Sequence, residues 1–169
     1  MRVALLSCGP SIASYPGRDG FDLVIGVNSI VERHECDYWV FGDAETFEKT
    51  RELREGCAGR VPRLVTDAAA AFNLTHNSGV ETASRFLTWP RGPHWEEFEN
   101  PLPLDTQLCF SSCAALLLTR HLKATSLQVF GVDLAGDRDW AGRRCNGRDP
   151  EWWERERFRW DRLLAWVIQ

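Results

Sequence analysis

The sequence predicts an α/β fold, three layers built on a mostly parallel sheet. Three observations carry that prediction. Short apolar runs alternate with helical or turn-rich pieces through the N-terminal half. The runs are apolar without polar alternation, as strands covered on both faces require. They end on Gly, Asn, Ser or Asp, the residues that open turns. At 169 residues, 44% of them hydrophobic, the chain suits one domain spanning 1–169.

The elements follow in order. Arg2–Ser7 reads as the first strand, ended by Cys8-Gly9-Pro10-Ser11. Asp22–Val27 is the second, ended by Asn28-Ser29, after which Ile30–His34 forms a brief helix. Asp37–Phe41 is the third, ended by Gly42-Asp43. Ala44–Glu55 is rich in helix formers with charges four apart, so it predicts a solvated helix that stops at Gly56. Val61–Thr66 is a fourth strand, placed near an edge by Pro62. From Asp67 to Asp105 periodicity is lost, apart from a strand at Ala83–Trp89. Residues 88–105 carry four of the eight prolines, and the whole reads as an irregular excursion or lid at about 67–105. Thr106–Leu122 is small and apolar nearly all round, which predicts a helix packed into the core. Ser126–Val132 is a strand ended by Asp133. After a polar loop at 136–149, Pro150 opens the C-terminal helix in the favoured N1 position, with Trp153, Phe158, Trp160, Leu164 and Val167 sharing an apolar stripe. The sum is a Rossmann-like three-layer fold.

Composition excludes several classes. The longest apolar stretches, such as Cys113–Leu118, fall far short of the ~18–20 residues that span a bilayer, and no signal-peptide pattern opens the chain. No membrane partner is expected. Twenty Lys+Arg against 24 Asp+Glu give a net charge of −4, which removes the basic footprint of general nucleic-acid binding. The exception is a local patch, Arg138, Arg143, Arg144 and Arg148. Arginine suits phosphate oxygens, although Asp137, Asp139 and Asp149 in the same loop equally fit a solvated mixed-charge segment. The six cysteines form no C-x-x-C pair, and Cys8, Cys36, Cys109 and Cys113 lie in apolar segments. A reducing, cytoplasmic setting is expected, with neither disulfides nor zinc.

In open parallel sheets ligands bind outside the carboxyl ends of the strands. The residues there are Gly9, Pro10 and Ser11; Asn28 and Ser29; Asp43 and Glu45; and Asp133, with Ser111 and Ser112 joining from the small-residue helix. Glycine in the first turn lets a ligand approach the backbone, while the turn exposes amide donors. The loop is neither G-x-x-x-x-G-K-[ST] nor G-x-G-x-x-G. Asp43, Glu45 and Asp133 suit Mg²⁺ held through one or two oxygens, and Asp43 with Glu45 suits helix capping equally well. Asp133, directly after a buried strand, is read as a catalytic residue that with Asp43 orients the acceptor or holds a metal, since an acid there otherwise needs an explicit partner. His76 and His94, in the excursion, are the candidate general bases. His121 suits the dipole at a helix end, and His34 closes a solvated turn. Trp89, Trp95 and Trp140 either stack on a base, pterin or sugar ring or bury the loops that carry them.

The order of these pieces resembles a known superfamily. A strand leads to a Gly-Pro-Ser loop, further strands end in Asn and Asp, and a serine-led helix precedes a strand ending Gly131-Val132-Asp133. This is similar to the group containing bacterial lipooligosaccharide sialyltransferases, motility-associated sugar transferases and archaeal 6-hydroxymethylpterin pyrophosphokinases, in particular its small phage-borne members. The likeness spans 2–47 and 106–135. It implies a nucleotide cradle at Gly9, Pro10 and Ser11, an Asn28 that reads the donor nucleotide, and Ser111 beside the donor phosphate, with Ser112 next to it. The chain departs from the pattern at Ser7, Cys8, Ser112 and Ala135, and no histidine follows Asp133 to serve as the sialyltransferase base. The resemblance implies a nucleotide-dependent, glycosyltransferase-like enzyme with a nucleotide-sugar donor and an acceptor left open. An ATP- and Mg²⁺-dependent pyrophosphokinase-like reaction is the alternative, as is a nucleotide-binding module without turnover. No cofactor beyond Mg²⁺ is implied, and so small a chain is expected to complete its site with a second copy.

Overall fold

The computed structural model describes residues 1–42, 45–47, 63–67, 86–89, 111–144 and 149–168. Among these, six strands form one sheet: β1 (Arg2–Leu6), β2 (Leu23–Val27), β3 (Tyr38–Phe41), β4 (Arg63–Asp67), β5 (Phe86–Trp89) and β6 (Ser126–Phe130). Their order is β5-β4-β3-β2-β1-β6, and every neighbouring pair is parallel. The α/β class is thus the observed one. β4 stands one place in from the edge, paired with β3 on one side and β5 on the other.

The strand sequences explain how the sheet is covered. Side chains alternate between faces with a period of two, so an unbroken apolar run supplies two cores. Val3 and Leu5, Ile25 and Val27, and Val40 and Val65 face one side. Ala4, Leu6 and Val24 face the other with Ile12, Ile30 and Cys36, while Trp39 and Phe41 pack there against Phe47.

The first side is covered by α1 (Ser111–His121), whose residues 111–119 are all buried. Its Ser-Ser-Cys-Ala-Ala opening lets the helix lie close to the strands. α2 (Pro150–Val167) packs against α1. Pro150 stands at the helix start, and Asp149 caps it by accepting from Trp152 N–H at 2.6 Å. The expected α2 stripe needs correction at one position. Phe158 is 62% exposed, whereas Trp160, Leu163 and Glu156 are buried. At 100° per residue, 153, 156, 160, 163 and 167 share a face and 158 does not. Glu156 therefore occupies a core position, its carboxylate held by Arg159 at 2.8 Å.

Two other expectations shift. The brief helix at Ile30–His34 is a 3-10 turn at Asn28–Glu32, started without a side-chain cap directly at the end of β2. His34 is half-buried rather than fully solvated: it meets the Tyr15 ring edge-on at 5.2 Å, with Nε2 buried. Of the predicted 44–55 helix, residues 45–47 are helical. The rest of it, most of the 67–105 excursion and residues 106–110 lie outside the described residues, as do Asp43, His76, His94, Trp95 and Arg148. No described helix is long and apolar enough to cross a membrane.

Candidate functional site

The sheet order creates a switch point between β1 and β6. The chain leaves β1 toward β2 on one side, while β6 pairs with β1 on the other, and it is at such reversals that open parallel sheets hold ligands. Here the two strand ends are clasped. Ser7 N–H donates to the Phe130 carbonyl (2.8 Å) and Gly9 N–H to the Gly131 carbonyl (2.7 Å). Ser11 N–H donates to Asp133 Oδ2 (3.0 Å), and Gly131 N–H to Ser11 Oγ (3.1 Å). Both glycines are sterically required. A Cβ at Gly9 would run into the Asp133 carboxylate, and one at Gly131, where φ is +73°, would strike the Ser7 carbonyl.

Beside the clasp lies a cleft of about 310 Å³, at the lower end of the roughly 300–1,000 Å³ that small-molecule sites occupy. Gly9 and Asn28 line it from the ends of β1 and β2, Ser111 and Ser112 from the start of α1, and Asp133 from the end of β6. Arg138, Arg144 and Trp153 also line it. Ser7 Oγ, buried at its floor, is 2.9 Å from Ser112 Oγ and fixes that hydroxyl. The first turn of α1, whose Ser111 and Ser112 line the cleft, carries no acidic residue that would oppose an anion there.

Asn28 is the most unusual residue of the site. Its φ is +52°, in the left-handed region that L-residues visit at a cost of about 1–3 kcal/mol. Its carbonyl accepts from Trp39 Nε1 at 2.9 Å, which secures the backbone. Its side-chain Oδ1 is buried yet, among the described residues, has no hydrogen-bond partner. Gly131 and Gly136, which adopt positive φ without steric cost, line the same cleft, and so does Leu134, which is strained there as Asn28 is. Such strain concentrates where a fold is shaped around a ligand.

Cys8 also reaches the cleft. Its thiol donates to the Val27 carbonyl (3.2 Å), and burial pushes its pKa up, so it is a protonated thiol rather than a nucleophile at neutral pH.

A second layer of contacts anchors the 136–144 loop. Trp140 N–H donates to the Cys8 carbonyl (2.7 Å). Arg143 Nε pairs with Asp139 (2.8 Å), Nη2 donates to Ser29 Oγ (3.0 Å), and Nη1 approaches Glu32 at 3.3 Å. The guanidinium groups of Arg33 and Arg143 both approach the Trp140 ring, at 5.5 and 5.4 Å from its centroid.

No known family model matches this sequence, and no curated protein matches it. The site is therefore read from its own geometry.

The sequence-derived residues divide clearly. Gly9, Asn28, Ser111, Ser112 and Asp133 come together in one cleft. Pro10 and Ser11 are exposed and start the 3-10 turn Pro10–Ser14 beside it. The Gly9 and Ser11 amides are committed inside the protein, so this loop gives the cleft its shape. Asp133 finds the partner its position demands in Ser11 N–H. Glu45 is exposed, and Trp140 serves as an anchor approached by two arginines. The described residues gather no cluster of three metal-ligating side chains.

Sequence reasoning missed Ser7, Trp153 and the division of labour among the arginines. Ser7 lay hidden at a strand end. For Arg143, its i,i+4 spacing from Asp139 was the available signal.

Proposed function

We propose that this chain is a nucleotide-dependent transferase, glycosyltransferase-like, whose cleft holds the nucleotide part of a nucleotide-sugar donor. One observation carries the reading: Asn28, strained and with a buried Oδ1 unpartnered among the described residues, lines the same switch-point cleft as Ser111, Ser112 and Asp133. A nucleobase amine is the natural partner for that oxygen, and the α1 terminus suits the adjoining phosphate. Departure of a nucleotide needs chiefly positioning and stabilisation of charge on the leaving phosphate. The start of α1 and the arginines suit both roles, with the acceptor itself as the attacking group and no nucleophilic side chain of the protein required.

A second reading, ATP-dependent transfer of a pyrophosphoryl group, draws on Asp133. It is an acid lining the cleft, with one oxygen engaged by Ser11, and Mg²⁺ on a nucleotide is commonly held by one or two carboxylates. The proposal also includes a cytoplasmic setting, supported by the free thiols of Cys8, Cys36 and Cys113.

The test is a thermal-shift screen of CMP, UDP, GDP, ADP, ATP and their sugar conjugates, with and without Mg²⁺. A ligand at about 100 times its Kd adds about 2.7 kcal/mol to stability. A rise in midpoint that Asn28→Ala and Ser111→Ala abolish is the expected outcome. No shift with any nucleotide, or shifts that both variants retain, overturns the proposal. A shift that requires Mg²⁺ selects the second reading.

A further inference from the structure

Arg138 and Arg144 face each other directly in an isolated antiparallel bridge. Residues so opposed carry their side chains on the same face with Cβ atoms about 4.5–5.5 Å apart, where like charges destabilise the pair. Both line the cleft. Arg143, between them in sequence, turns to the opposite duty and is consumed by Asp139, Glu32 and Ser29. The pair lacks such neutralisation. Arg138 donates to the Gly142 carbonyl at 2.7 Å, and the carboxylate nearest it, Asp137, stands 4.0 Å away with its side chain 69% exposed. Among the described residues no acid pairs with Arg144. Exposed ion pairs of the Arg138–Asp137 kind contribute roughly 0–1 kcal/mol.

We propose that Arg138 and Arg144 form a phosphate site on the wall of the cleft, taking the terminal or bridging phosphates of a nucleoside di- or triphosphate. Two guanidinium groups carried on one face, Arg138 with its nitrogens other than Nη1 still open and Arg144, offer N–H donors to a doubly charged group, and that group removes the repulsion between them. Arg143 acts as a positioning residue, tying the loop to the Ser29 turn beside Asn28. The phosphate site itself stands on the arginine geometry. Its assignment to a nucleotide rests on the functional reading above.

The experiment is calorimetric titration of the full chain with inorganic pyrophosphate. It compares the native sequence with Arg144→Gln, with the double variant Arg138→Gln/Arg144→Gln, and with Arg155→Gln on α2 as a control. The expected result is saturable, salt-sensitive binding that Arg144→Gln weakens about tenfold or more and the double variant loses, while Arg155→Gln leaves it unchanged. Both guanidinium groups lie at the surface, so the variants fold, and the ligand-free melting midpoint of Arg144→Gln is equal to or above the native one because a repulsion is removed.

Absence of pyrophosphate binding at millimolar concentration, or binding that the double variant retains, overturns the site. So does tighter binding of a single-stranded oligonucleotide through the same arginines that pyrophosphate fails to displace, since that marks a polyanion surface. The two proposals fail separately. Nucleotide shifts that the double variant preserves remove the phosphate assignment alone, whereas pyrophosphate binding without any nucleotide shift removes the nucleotide reading alone.

Discussion

Gly9 and Gly131 bring two strand ends into contact where neither tolerates a side chain, and the difference between glycines is measurable. Gly131→Ala combines a left-handed backbone with a collision on the Ser7 carbonyl, and is expected to cost about 2–3 kcal/mol in urea unfolding. Gly136→Ala, equally left-handed but in open space, should cost only about 1 kcal/mol. A second residue-scale prediction concerns His34. Burial, with Arg33 nearby, holds its pKa below the ordinary 6.5. Between the folded value and 6.5 the unfolded chain therefore binds more protons. The stability that neutral His34 supplies is complete above 6.5 and is lost as pH falls toward the folded value. On acidification from about pH 7.5 to about pH 5, the urea midpoint should fall more for the native protein than for His34→Gln. At this scale the sequence announced Gly9, Asn28 and Asp133, because turn residues at strand ends have few other reasons to be there. It could not announce that the Gly9 and Ser11 amides point inward, since their acceptors lie more than a hundred residues away.

Elements were legible where periodicity was unmixed. The apolar runs of β1, β2, β3 and β6, the small-residue α1 and the Pro150 start of α2 all reappear in the structure. The stripe of α2 was misjudged because Phe158 is hydrophobic and Glu156 is not, yet helical angle outranks side-chain type. That inversion has an energetic consequence. Glu156 is fully buried, its Oε1 bound by Arg159 and its Oε2 without a hydrogen bond. Replacing a buried ionic group by an apolar one of similar size is often neutral or stabilising, while removing only the counter-charge is not. Glu156→Leu is expected to leave stability unchanged or raised, and Arg159→Ala to lower it by about 1–3 kcal/mol, since Arg159 is itself partly exposed. Guanidinium chloride unfolding of the two variants checks both. For the 136–144 loop, Arg143→Ala should speed amide exchange at Trp140, whose N–H reaches the Cys8 carbonyl, without altering exchange in β2.

Across the whole molecule, the strand that comes first in sequence ends up flanked by strands from both ends of the chain. β1 pairs with β2 on one side and with β6, some 124 residues later, on the other. Until β6 arrives, β1 presents an unpaired edge whose four buried residues are entirely apolar. A chain ending at residue 124 is therefore expected to aggregate and to show no cooperative melting, whereas the full chain melts in one transition. The class of the fold was readable because both faces of a parallel sheet demand unbroken apolar strands. The partnership of β1 with β6 was not, since nothing in a strand's composition states which distant strand it joins.

The clasp between those strands also bears on how such a protein changes over evolutionary time. A side chain is excluded at position 9 by the Asp133 carboxylate and at position 131 by the Ser7 carbonyl and a left-handed backbone, so each position is held to glycine by its own neighbours. Gly17 and Gly20 meet nothing where a Cβ would stand and need only a residue that accepts a left-handed turn, such as asparagine. Descendants of this sequence should therefore keep the 9 and 131 glycines together long after the surface loops have diverged. That distant pair would mark kinship where overall similarity has faded.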